Sequence, residues 1–197
     1  MSSTGRVGGD DALRLFLALL LPDEVLDVLE RWSEEELSKG RRVPRAHLHV
    51  TLAFLGRRPA KELPAILDAL RTAAARVTPF SFEPVRYRET RSVGMVVLRD
   101  PSDAADRLAA DLHEQLEGLG VYKREARRWL PHVAVLRFRE QPRLRPPLPD
   151  LGVFAPSDAA AFLSRLHPTG ARYEVLEVVP LGPGGEARQR EETERMR

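Results

Sequence analysis

The chain has 197 residues, 43% hydrophobic and 30% charged, enough to bury a core as one domain or as two small lobes sharing it. Cysteine is absent, which removes a disulfide framework, a cysteine zinc site and a thiol nucleophile. The formal net charge of +2 hides a segregation: residues 41–58 hold five arginines and no acid, while residues 123–145 hold Lys123 and seven arginines against Glu125 and Glu140. Two basic segments in a chain otherwise acidic on balance point to an anionic ligand gripped by two separate pieces of chain.

Residues 1–12 open with a small, polar run and read as a flexible start. Leu13 to Leu20 is apolar but for Arg14, which suits a strand buried on both faces. The longest apolar run, Leu15 to Leu21, has seven residues, far short of the ~20 that span a bilayer. Asp10 and Asp11 precede it and no small-residue cleavage site follows, so it is expected to be a strand of a soluble, cytoplasmic protein rather than a signal peptide. Pro22 and Asp23 open a helix with Val25, Leu26, Leu29, Trp32 and Leu37 on its inner stripe. Leu48 to Leu55 reads as a strand ended by Gly56, and Pro59 to Arg76 as a helix with Leu63, Ile66, Leu67 and Leu70 inward.

Phe80 to Arg88 and Val93 to Leu98 read as strands joined by a turn at Thr90–Ser92. Ser102 is the expected N-cap of a helix to about Glu117, which Gly118 and Gly120 end. His132 to Phe138 is the next strand, and residues 140–150, with four prolines, an extended loop. Short strands are expected near Val153, at Ala160–Leu166 and at Tyr173–Leu181, with a flexible charged tail over 182–197. This order predicts an α+β fold of antiparallel or mixed sheet with helices outside.

One echo stands out: Leu48-His49-Val50-Thr51-Leu52 resembles Pro131-His132-Val133-Ala134-Val135, 83 residues later. A basic stretch precedes each, and each sits on an expected strand, which suggests two lobes of similar plan. Residues i and i+2 of a strand share a face, so His49 and Thr51 point one way, as do His132 and Ala134. Two imidazoles in one cleft can serve as general base and general acid, because their ordinary pKa of ~6.5 leaves both forms accessible near neutrality. Phosphoryl transfer with a ribose oxygen leaving needs both. His47 and His49 could form half a metal site, but no third ligand accompanies them at a suggestive spacing; His113 and His167 read as structural or exposed.

At these residues the sequence resembles the 2H phosphoesterases, specifically the LigT-like RNA 2′,3′-cyclic phosphodiesterases. His49 to Gly56 is similar to the family's first His-x-Thr motif over its full length, and Trp129 to Arg137 to the second. Arg14–Ala18, Leu163–Ser164 and Gly170–Glu174 add further likeness, so the resemblance spans roughly residues 13–181. It implies a bilobal fold with a central cleft, a monomer, and hydrolysis of RNA or nucleotide 2′,3′-cyclic phosphates to 2′-phosphomonoesters without metal or cofactor. It also implies that some relatives form 2′–5′ RNA bonds. Carried over, His49 would protonate the leaving O3′ and His132 would activate water, with the reverse assignment left open by the sequence. Thr51 would hold the phosphate, Arg137 would neutralise developing charge and Phe54 would stack on the base.

Two features set this chain apart. The hydroxyl of the second motif is replaced by Ala134, a loss worth roughly 1.5–3 kcal/mol unless water or a basic side chain compensates. It leaves open a second reading, a non-catalytic binder of RNA ends or nucleotides. Phe54 and Arg137 also lie five positions beyond their histidines, an odd offset that turns them away from the cleft unless the strand bulges or ends.

Overall fold

The computed structural model describes residues 12–167 and 170–183. The flexible start and charged tail expected from the sequence fall outside these residues except at three positions. Ala12 already belongs to the first strand, and at the other end Gly182 and Pro183 are described, with the Gly182 N–H donating to the Ala74 carbonyl at 2.9 Å.

In chain order the elements are β1 (Ala12–Leu19), α1 (Asp23–Glu36), β2 (Arg41–Arg42), β3 (Val50–Pro59), α2 (Leu63–Arg76), β4 (Glu83–Glu89) and β5 (Val93–Arg99). Then follow α3 (Ala104–Gly118), β6 (His132–Arg137), β7 (Asp158–His167) and β8 (Gly170–Pro180). The eight strands form one sheet in the order β4-β5-β6-β3-β1-β7-β8, with β2 on the flank of β6, and the strand pairs are antiparallel. The expected α+β, two-lobed architecture is therefore present. Its joint is narrow: β3 and β6 meet through one residue pair, Val50 opposite Val133.

Alternation along β1 explains how one apolar strand serves two layers. Leu15, Leu17 and Leu19 enter the main core, while Phe16 and Ala18 enter a second cluster with Ala160 and Phe162 on the opposite face. The main core is closed by Ile66, Ala69, Leu70 and Ala73 of α2 and by Leu108, Leu112 and Leu116 of α3. Each fully buried leucine contributes about 1.5–3 kcal/mol, so this layer dominates stability. Trp32 of α1 reaches the other lobe, 6.2 Å from the Tyr87 ring of β4, and donates its indole N–H to the Pro147 carbonyl at 2.9 Å.

Two local expectations change. Gly56 does not end β3; with φ of 68° it pairs with Leu15 beside an irregularity, and the strand continues to Pro59. The strand expected near Val153 contracts to a single bridge between Phe82 and Phe154, and Val153 itself is 70% exposed. Pro149 and Pro156 flank it and lack the amide donors a longer ladder requires.

The start of α3 is fixed by a carboxylate before it. Asp100 Oδ2 accepts from the Ala105 N–H at 2.8 Å, and Oδ1 from the Ser102 N–H and hydroxyl at 2.8 and 2.7 Å. Burial alone would raise the Asp100 pKa; the donors from Ala105 and Ser102 outweigh it and hold the carboxyl below its ordinary value. Asp100→Ala should cost about 1–2 kcal/mol at pH 7 by urea unfolding. Because the folded pKa is depressed, that contribution is present above the unfolded value and lost as pH falls through the folded one. The difference between variant and parent should shrink accordingly in acid.

Candidate active site

Extending the antiparallel register at Val50–Val133 by one residue sets His49 beside Ala134 and Thr51 beside His132. The echo in the sequence thus becomes an approximate two-fold about the joint, with each histidine next to the other lobe's motif. His49, Thr51, His132 and Ala134 all line one cavity of about 770 Å³, a volume suited to a nucleotide-sized ligand.

Phe54 and Arg137 line the same cavity, and bulges are the reason. On β3, Ala18 pairs with Thr51 and Leu17 with Ala53, so Leu52 is an extra residue. On β6, Met95 pairs with Ala134 and Gly94 with Leu136, so Val135 is the extra residue. Each bulge resets the alternation and returns the residue five beyond the histidine to the cleft face. Leu52 and Ala53 on β3, like Val135 and Leu136 on β6, are consecutive residues buried together.

A bulge displaces carbonyls from the ladder, and each lobe satisfies them differently. On β6 the Val135 carbonyl accepts the Val43 backbone N–H at 2.9 Å, next to β2. On β3 side chains take over: Leu52 O is 2.8 Å from His113 Nε2, and Thr51 O accepts the Trp129 indole N–H at 2.9 Å. His113 is buried at 5% exposure and is structural, one of the two roles read for it from sequence.

The two imidazoles are held differently: His132 Nδ1 lies 2.8 Å from the Leu130 carbonyl two residues back, whereas His49 is held by ring stacking. For His132 this fixes the proton on Nδ1 and leaves the lone pair on Nε2. His49 stacks on Phe16 with centroids 5.0 Å apart and on Phe162 at 5.9 Å, with Tyr173 edge-on at 5.8 Å. The row from Thr51 through Ala18 to Ala160 carries only small side chains, which leaves room for that ring. Desolvation in this aromatic bed is the main cause pushing the His49 pKa down to about 4; the His47 carbonyl opposes it, and the charges of His47, Arg137 and His132 add to it. Desolvation also lowers the His132 pKa, against the Leu130 carbonyl and with Arg127, Arg137 and Arg88.

The basic segments divide once seen in space. Arg45 is spent on Asp23 and Asp27 at 2.9 and 2.8 Å, and Arg58 on Glu62 at 2.8 Å. Arg128 pairs with Asp103 and Asp106 at 3.2 and 3.0 Å. Arg41 and Arg137 line the cavity as direct cross-strand partners, and among the described residues neither has a carboxylate within 4.0 Å. Like charges directly opposite are unfavourable in a sheet unless an anion lies between them. Phe54 is 50% exposed, with the Arg14 guanidinium 4.8 Å over one face, so a stacking ligand uses the other. Arg14 is anchored in turn on the Ser164 hydroxyl at 3.0 Å.

Sequence reasoning did not single out Arg41, Arg88, Phe16 or Tyr173 for this site. Arg41 lay within a segment marked as basic, and Phe16 and Tyr173 within stretches of family likeness, but nothing local joined them into one bed, because pairing of β1, β7 and β8 assembles it. Among the described residues no cluster of three His, Asp or Glu side chains has the arrangement of a metal site, so no third ligand joins His47 and His49.

Comparison with known proteins agrees with this geometry. The chain is 33% identical over 178 residues to the RNA 2′,3′-cyclic phosphodiesterase of Thermus thermophilus, covering 84% of this chain and 88% of that one. It is 23% identical over 182 residues to the protein of the same name from Methanocaldococcus jannaschii, covering 84% and 99%. The crystal structure of E. coli LigT in apo form superposes with a TM-score of 0.72 at 26% identity, over 87% of this chain and 98% of that one. The sequence profile of the 2′-5′ RNA ligase superfamily matches residues 21–177, and with the doubled motif on a two-lobed antiparallel sheet the chain belongs to that superfamily, the 2H phosphoesterases.

Proposed function

We propose that the chain is a phosphodiesterase that opens RNA 2′,3′-cyclic phosphate ends to 2′-phosphomonoesters, with His49 and His132 as the acid–base pair. The observation that carries this reading is that both line one cavity at the Val50–Val133 joint with Arg41 and Arg137, which among the described residues have no carboxylate within 4.0 Å. The names of the two relatives support the substrate class. In the displacement one imidazole takes a proton from water as its oxygen bonds phosphorus. The other gives a proton to O3′ as the P–O3′ bond breaks, leaving the phosphate on O2′. Thr51 and Arg137 stabilise the charge on the non-bridging oxygens. A 5′-hydroxyl replacing the water would give a 2′–5′ linkage by the same displacement.

Both histidines have lowered pKa values, so in the free protein both are neutral at pH 7. The base must be unprotonated and is lost as pH falls through its pKa; the acid must be protonated and is lost as pH rises through its own. With 2′,3′-cyclic AMP and EDTA present, kcat/KM should therefore follow a bell with its maximum below pH 6.5. The kcat optimum should lie higher, because the bound anion raises the pKa of the imidazole beside it. Chromatography should identify 2′-AMP as product. Salt-sensitive binding without any product would instead favour the binding-protein reading that Ala134 keeps open.

A further inference from the structure

The missing hydroxyl at Ala134 has a neighbour able to replace it. In the register of the second lobe Arg88 pairs with Met95, and Met95 pairs with Ala134, so the three lie in one row across β4, β5 and β6. Lateral neighbours share a face, and all three line the cavity with His132. Arg88 and Ala134 are two strand spacings apart, about 10 Å, a gap an extended arginine closes with one hydrogen bond to a phosphate oxygen between them.

Arg88 is also free to do so. Among the described residues no carboxylate lies within 4.0 Å of it, whereas Arg99 on the neighbouring strand is tied to Glu83. The acid next to it, Glu89, is engaged with the Tyr87 hydroxyl at 3.2 Å and with the Arg143 and Leu144 amides, both at 2.9 Å. The charge of Arg88 reaches the second histidine, contributing to the lowered pKa of His132.

We propose that Arg88 is a phosphate ligand of this site, supplying from β4 the contact that the second motif lost at Ala134. This rests on the phosphoester reading of the cleft and adds an asymmetry to it: a hydroxyl, Thr51, serves one lobe and a guanidinium the other. A guanidinium is the stronger partner for a phosphate, bringing a full positive charge and several donors where a hydroxyl brings one donor and no charge.

The test is a double-mutant cycle on Arg88→Ala and Ala134→Thr, read in two ways: affinity for inorganic phosphate by calorimetry, and kcat/KM on 2′,3′-cyclic AMP. Arg88→Ala should weaken phosphate binding and lower kcat/KM, each by about tenfold or more. In that background Ala134→Thr should recover most of the loss, while in the parent it should change either quantity by less than about threefold. Arg88→Ala with unchanged phosphate affinity overturns the proposal, and so do additive effects of the two substitutions. A parent that binds phosphate in this pattern yet leaves the cyclic nucleotide intact sinks the reading of the reaction while Arg88 stands as an anion ligand. Normal turnover indifferent to Arg88→Ala does the reverse.

Discussion

His49→Ala and His132→Ala should each lower kcat on a 2′,3′-cyclic nucleotide by ~10²–10⁴-fold, the size of one lost proton transfer, with KM little changed. The reason lies in how the rings are mounted. His132 is tethered to the carbonyl two residues back and His49 is stacked on Phe16, and both line one cavity where their strands touch at a single pair. Neither ring carries weight in the main core, so both variants should fold, which circular dichroism would verify. If the imidazoles act in one displacement, the double variant should be far less impaired than the product of the two single losses. Multiplicative losses would mean separate roles. Either single variant retaining more than about a tenth of the parental rate would exclude paired acid–base work.

How much of this was legible beforehand depended on sequence distance. His49, Thr51 and His132 could be found because a strand's period of two converts a local spacing into a shared face. Phe54 and Arg137 fitted the cleft only on condition of a bulge, and a bulge is a property of the pairing between strands. No local signal marked Leu52 or Val135 as the extra residues; both are ordinary β-formers. The aromatic bed under His49 is assembled from Phe16, Phe162 and Tyr173 on three strands, with 138 residues of chain between β1 and β7. Charge segregation located both lobes correctly but overstated the arginines that serve the cleft, since Arg45, Arg58 and Arg128 are held by carboxylates from other segments. Composition reveals a basic segment; only the fold reveals which charges are already answered.

His113→Leu should destabilise the protein by about 1–3 kcal/mol by urea unfolding and also lower kcat/KM, although His113 belongs to α3. In one lobe the bulge on β6 is held by a backbone amide from Val43, whereas on β3 the displaced Leu52 carbonyl depends on His113 Nε2 at 2.8 Å. Leucine fills comparable volume but leaves that buried carbonyl without a donor, and the strand can recover one only by shifting its bulge. Such a shift turns Phe54 away from the cleft, so the kinetic loss should fall mainly on KM. His113→Gln, which keeps a donor, should restore both properties in large part. Burial is the main cause lowering the His113 pKa, opposed by the Leu52 carbonyl, so the ring is neutral and carries its proton on Nε2. A depressed folded pKa means the unfolded chain binds more protons as pH drops below ~6.5, so this stabilisation is complete above that pH and weakens as pH falls. The margin of the parent over His113→Gln should narrow over the same range. A His113→Leu protein as stable and as active as the parent would show that β3 keeps its bulge without a donor from α3.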